Sequence, residues 1–162
     1  MKVKDVMTRT PARCRSDTNL GAAVEIMWSR NCGILPIMNP EEKVIGVVTD
    51  RDLCIALGTR NRLAGDIAVW DVASGKVFAC EPEDDIHAAL AMMARSKVRR
   101  LPVINTAGKL EGILSMDDVV LHSESKVSGK TPQLSHDDVV DTLKRLYRPE
   151  LPETARPKTA GA

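Results

Sequence analysis

Laid on itself with an offset of 66 positions, this chain repeats: residues 3–54 fall on residues 69–120 without a gap, and 13 of the 52 pairs are identical. Among the identical pairs are Val3/Val69, Cys14/Cys80, Leu35/Leu101, Pro36/Pro102, Gly46/Gly112 and Asp52/Asp118. An ungapped self-match of this length signals a duplicated supersecondary unit, which buries its apolar face against its twin. Function is therefore to be sought between the copies.

A chain of 162 residues can bury about 70% of its unfolded surface, in one core or in two small ones sharing an interface. Its 23 Lys+Arg nearly cancel its 22 Asp+Glu, so no global field draws it to nucleic acid or to an anionic membrane. Any anion site must be a local cluster. Four aromatic residues, Trp28, Trp70, Phe78 and Tyr147, are too few for a base-stacking platform. The first residues lack the apolar run of a signal peptide and no segment approaches 18 consecutive apolar residues, so the expectation is a cytoplasmic protein that does not span a membrane. Cys14, Cys32, Cys54 and Cys80 form no Cys-x-x-Cys pair and read as small buried hydrophobes; Cys32 and Cys54 carry the alternative of a redox or metal-responsive regulator.

Each copy runs through the same signals. A short extended segment, 12–14 or 78–80, leads into a polar cluster, 15–19 or 81–85, that suits a helix start. The helix that follows carries an apolar stripe at i, i+4 and i+7: Leu20, Val24 and Met27 in the first copy, Ile86, Leu90 and Met93 in the second. Next come an apolar run containing proline (34–38; 101–104), a polar turn (39–43; 105–109) and a second apolar run (44–48; 110–114), which predict an antiparallel hairpin. A second helix opens at Thr49 or Ser115, with acidic residues in its first turn. Each unit thus reads β-α-β-β-α, an α+β fold, with residues 1–60 as the first unit and 61–123 as the second. Residues 124–148 read as a loop and a last helix, in which Ser135 and Asp138 form a capping box and Val139, Val140, Leu143, Leu146 and Tyr147 form a stripe. The Pro-rich residues 149–162 are predicted to be disordered.

The most specific local signal is Gly, two apolar residues, Thr or Ser, two variable residues, then Asp: 46–52 and again 112–118. A hydroxyl and a carboxylate three apart where a strand becomes a helix share one face with the helix's free N–H groups. Such a corner can take a sugar diol on the carboxylate and a phosphate on the hydroxyl and amides. Plain N-capping explains one such pattern as well; its recurrence after Gly and two apolar residues favours binding.

Two β-α-β-β-α units, each with an apolar-Pro-apolar strand and each ending in Gly-x-x-Thr/Ser-x-x-Asp, resemble a tandem cystathionine-beta-synthase (CBS) domain pair, the Bateman module, of the stand-alone bacterial type. The resemblance covers about residues 3 to 122. It implies a pseudo-twofold pair with two clefts that bind AMP, ADP, ATP or S-adenosylmethionine, and dimerisation through its helices. It implies that Thr49 and Asp52 in one copy, and Ser115 and Asp118 in the other, hold ribose and phosphate. Around the adenine it implies Thr10, Pro11, Ala12, Ile34, Leu35 and Pro36 for one site, and Val77, Phe78, Ala79, Arg100, Leu101 and Pro102 for the other.

Lys97, Arg99 and Arg100 stand where the family places basic residues facing the central cleft, whereas the matching first-copy residues are Asn31, Gly33 and Ile34. This one-sided charge predicts two unequal sites, with Arg99 or Arg100 reaching across to the ligand held by Thr49 and Asp52. Arg51, and more weakly Arg60 and Arg62, are further phosphate candidates; a solvated basic face is the alternative. His87, His122 and His136 form neither His-x-x-x-His nor a nucleophile motif, and no phosphate loop is present. No catalytic residue, bound metal or required cofactor is expected. The reading is a regulatory sensor of an adenine nucleotide, with S-adenosylmethionine or NAD as further ligands, acting through a homodimer or on a protein partner. A ligand-free interaction scaffold, docking through the last helix, is the alternative.

Overall fold

The structure, a computed structural model, describes residues 1–127 and 132–149. Its elements in chain order are β1 (Thr8–Arg9), β2 (Cys14–Arg15), α1 (Leu20–Ser29), β3 (Ile34–Met38), β4 (Val44–Thr49), α2 (Asp50–Thr59), α3 (Ile86–Ser96), β5 (Arg100–Ile104), β6 (Leu110–Ser115), α4 (Met116–His122) and α5 (His136–Tyr147). The fold is α+β, two small sheets each backed by helices. The disorder expected for 149–162 concerns residues that lie, from 150 onward, outside the described ones.

Both hairpins are antiparallel and in the same register, Pro36 opposite Val47 and Pro102 opposite Ile113, each with a bulge one turn of the pleat later. Strand β2 pairs parallel with β3, Cys14 against Ile37, and Cys80 bridges Val103 in the same way. Pairing on that side thus begins one residue past each proline. Pro36 and Pro102 sit where their strand is still an edge, so their missing N–H costs no ladder bond.

The copies exchange segments. The N-terminal residues Val3, Val6 and Met7 belong to the core of the second unit, with Ile86, Met93, Leu101 and Leu114. Ile67 and Val69 belong to the core of the first, with Leu20, Met27, Leu35 and Val48. Strand β1 accordingly adds to β6, Thr8 opposite Ile113, and Ser74 bridges Val47 at the equivalent place. The repeated glycine of the corner motif makes room for this crossing. A Cβ on Gly112 would lie 2.8 Å from the Thr8 carbonyl and 2.7 Å from Met7 Sδ, and one on Gly46 would lie 3.1 Å from the Trp70 ring. The hairpin turns meet at the pseudo-twofold axis, where Lys43 bridges Lys109 and the Val44 N–H donates to the Gly108 carbonyl.

Helix α5 has no counterpart in the repeat. It lies across α3 and α4 and adds Val139 and Leu146, with Leu134 before it, to the second core. The expected stripe is therefore split: Val140 and Tyr147 are exposed, and Thr142, unforeseen, is buried with its hydroxyl donating to the Asp138 carbonyl. The stripe of α1 also differs from expectation. Val24 is 42% exposed, whereas Leu90 at the equivalent position is buried on the helix pair that α5 crosses; the neighbouring Ala23 and Ala89 are buried in both copies.

Candidate functional site

Three helix starts carry the same reciprocal cap. In α2 the Thr49 backbone N–H and hydroxyl both donate to Asp52 Oδ2, at 2.9 and 2.7 Å, while the Asp52 N–H donates to the Thr49 hydroxyl. Ser115 and Asp118 repeat this in α4, and Ser135 and Asp138 in α5. The motif is thus a capping box at all three helix starts, and a cleft faces it at the first two. In this geometry the single proton of each hydroxyl goes to the carboxylate beside it. The first amides of α2 are similarly engaged, by the Gly33 carbonyl, Asp50 Oδ1 and Thr49 Oγ1.

What the corners offer is the second carboxylate oxygen, and here the copies part. Among the described residues Asp52 Oδ1 accepts no hydrogen bond, but Asp118 Oδ1 accepts one of 2.8 Å from Thr8 Oγ1.

Each corner lines a cleft between the two units. The cleft at Thr49 and Asp52 has a volume of about 540 Å³ and the one at Ser115 and Asp118 about 380 Å³. The units contribute crosswise: Thr8, Thr10 and Ala12 of the first face the Ser115 corner, and Ser74, Lys76 and Phe78, their equivalents 66 residues on, face the Thr49 corner. Ile34 and Arg100 line both. Of the residues implied for adenine, Thr10, Pro11, Ala12 and Ile34 line the smaller cleft, and Ile34, Phe78 and Pro102 the larger. Leu35 and Leu101 instead point into the two cores, fully buried, because alternate residues of these strands face the helices. Pro36 is buried as well, and Pro36, Val77 and Ala79 line neither cleft.

The expected inequality of charge is present in the geometry. Arg51, Lys76, Lys97, Arg99 and Arg100 line the larger cleft against two carboxylates, Asp50 and Asp52, while the smaller has Arg30 and Arg100 against Asp117 and Asp118. None of the larger cleft's five cations forms an ion pair with a described residue. Three of them have other partners: the Lys97 amine donates to the carbonyls of Arg145 and Arg148 at 2.7 and 3.2 Å, Arg99 Nη1 donates to the Tyr147 hydroxyl at 3.5 Å, and the Lys76 amine lies 4.8 Å from the centre of the Phe78 ring. Lys76, opposite Thr10 at the 66-residue offset, is a cleft cation outside the basic candidates read from the sequence; the offset itself was the signal for it. Leu146 and Tyr147, also in the larger cleft, carry no signal in the repeat. Arg60 and Arg62 lie elsewhere, donating to the carbonyls of Asp71 and Asp66.

A more voluminous hollow, about 770 Å³, is a different place: an open trough between α1 and α2 floored by Val24, Trp28, Leu53 and Leu57. Its apolar floor has little to hold a phosphate, so the charged cleft is the better ligand site. Cys32 and Cys54 line this trough. Cys14 and Cys80 are buried, and burial pushes their thiols up to about 11 and about 12. Among the described residues no group of three or more His, Cys, Asp or Glu is placed to hold a metal, and no helix is long and apolar enough to cross a membrane.

Known proteins share this arrangement. An uncharacterized protein of Methanopyrus kandleri is 30% identical over 120 residues, 72% of this chain and 57% of its own length. The CBS domain-containing protein YhcV of Bacillus subtilis is 28% identical over 140 residues, covering 85% of this chain and 97% of its own. An inosine-5'-monophosphate dehydrogenase of Methanocaldococcus jannaschii is 30% identical, but the match spans only 22% of that enzyme. Among solved structures, CBSX2 in complex with AMP superposes with a TM-score of 0.65 at 26% identity, over 74% of this chain and 93% of that one. The family model for the CBS domain matches twice, at residues 3–59 and 69–125, so the chain belongs to the CBS-domain family and carries two such domains in tandem.

Proposed function

We propose that the larger cleft binds an adenine nucleotide and that its occupancy sets how the two domains sit against each other. The observation that carries this is the convergence, from opposite units, of the Asp52 Oδ1 oxygen with the guanidinium groups of Arg99 and Arg100, where among the described residues that oxygen accepts no hydrogen bond and neither guanidinium forms an ion pair. Asp52 Oδ1 accepts from the ribose hydroxyls, Arg51, Lys76, Arg99 and Arg100 take the phosphates, and Ile34, Phe78 and Pro102 flank the base. A volume of about 540 Å³ suits such a ligand. Because the contacts come from both domains, ligand binding favours one relative arrangement, by no more than its difference in affinity for the two. The AMP held by the related CBSX2 supports the ligand class. The reading is of a regulator rather than an enzyme. Calorimetry on the purified chain with AMP, ADP, ATP, NAD and S-adenosylmethionine tests it; saturable heat from at least one adenine nucleotide is the expected result, and none from any would remove the proposal and leave the ligand-free scaffold.

A dimer is part of this reading. The trough between α1 and α2 is equivalent to the face of α3 and α4 that α5 covers, and it exposes Trp28 at 88% together with Val24 and Leu57. We assign it to a second copy of the chain.

A further inference from the structure

The last turn of α5 stands at the mouth of the larger cleft, with Leu146 and Tyr147 in its wall. Two ties hold it there. Lys97, a left-handed residue at φ 57° ending α3, reaches the carbonyls of Arg145 and Arg148, groups that a helix end leaves without intrahelical partners. Arg99 Nη1 lies 3.5 Å from the Tyr147 hydroxyl, which accepts there and keeps its own proton to donate. Both ties come from the basic segment that lines the ligand cleft. Tyr147, the chain's single tyrosine, is 62% exposed, so its ring has surface left to meet a ligand.

We propose that α5 supplies a third wall of the nucleotide site, with Tyr147 as a ligand-contacting residue. Its ring packs against the bound nucleotide and its hydroxyl donates to a phosphate oxygen that Arg99 also holds. Lys97 is a positioning residue: it keeps the end of α5 at the cleft. Occupancy of the cleft and docking of α5 then favour each other, because each adds contacts to the other. An appendage outside the CBS repeat thereby senses the ligand of the larger cleft; no α5 residue is among the described residues that line the smaller one. The proposal rests on the reading of the larger cleft as a nucleotide site, and the experiment separates the two.

Hydrogen exchange of the full chain is followed with and without ATP, alongside calorimetry of Tyr147→Ala, Tyr147→Phe and Lys97→Gly. The glycine tolerates the left-handed backbone, so the change removes the lysine side chain and its two bonds to α5 without straining the turn. ATP is expected to slow exchange in the last turn of α5 about tenfold. Tyr147→Ala weakens ATP about five- to tenfold and Tyr147→Phe about two- to threefold, the ring and hydroxyl shares. In Lys97→Gly the last turn exchanges faster without ligand and ATP slows it less. If ATP binds Tyr147→Ala as it binds the unaltered chain and leaves α5 exchange unchanged, this inference falls and the nucleotide reading stands; if no nucleotide binds the unaltered chain, both fall.

Discussion

Asp52 and Asp118 occupy the same place in the repeat and cap their helices with the same oxygen, yet among the described residues only Asp52 has its other oxygen free. Thr8, at the start of the crossing strand β1, takes Asp118 Oδ1, whereas its equivalent Ser74 instead bonds within its own turn to Lys76. Removing Asp52 by Asp52→Ala is expected to weaken adenine-nucleotide binding by about 1 to 3 kcal/mol, the usual cost of losing a charged hydrogen bond. Asp118→Ala is expected to change it by less than about 0.5 kcal/mol. Calorimetry of the two variants checks the order, and equal losses would contradict the asymmetry. The repeated glycines admit a second test at this scale. Gly112→Ala drives a Cβ into backbone and should destabilise by about 1 to 3 kcal/mol, while Gly46→Ala meets mainly the edge of the Trp70 ring and should cost less; thermal unfolding ranks them. The corner motif was legible as residues three apart. Which carboxylate oxygen stays free was not, because Thr8 is 110 residues from Asp118 in the chain.

Among the elements, those with strong periodicity and a cap were readable. Ser135 with Asp138 foretold the start of α5, and the proline runs foretold both hairpins. The stripe of α1 was misjudged at Val24 because periodicity names a face and cannot say which neighbour covers it. The cap of α5 makes a prediction for this element. The Ser135 hydroxyl beside Asp138, with the Ser135 amide and His87, holds that carboxyl below the usual carboxylate range. A depressed value means stability that is fully present above the unfolded value and lost as pH falls through the folded one. Helix α5 is therefore expected to loosen as the solution is taken from about pH 5 to about pH 2, and Ser135→Ala to cost about 1 kcal/mol at neutral pH. Hydrogen exchange across residues 136–147 reads both, and an α5 equally protected at both ends of that range would refute the first.

At the scale of the molecule, the second unit is sealed by α5 and the first is bare. Trp28→Glu is expected to shift the mass in solution from dimer to monomer without loss of fold, measured by light scattering beside circular dichroism; an unchanged mass would put the contact elsewhere. The amino-acid order alone specified a twofold repeat, its strands and helices, the capped corners and the surplus of basic residues at 97–100, because these follow from local spacing and propensity. It did not specify that residues 3–7 complete the second core while 67–69 complete the first, that Leu35 and Leu101 turn inward, that Lys97 ties down α5, or that five cations line one cleft with two carboxylates. Those outcomes depend on contacts between residues tens of positions apart, and only packing the two units face to face selects among the pairings that local sequence permits equally.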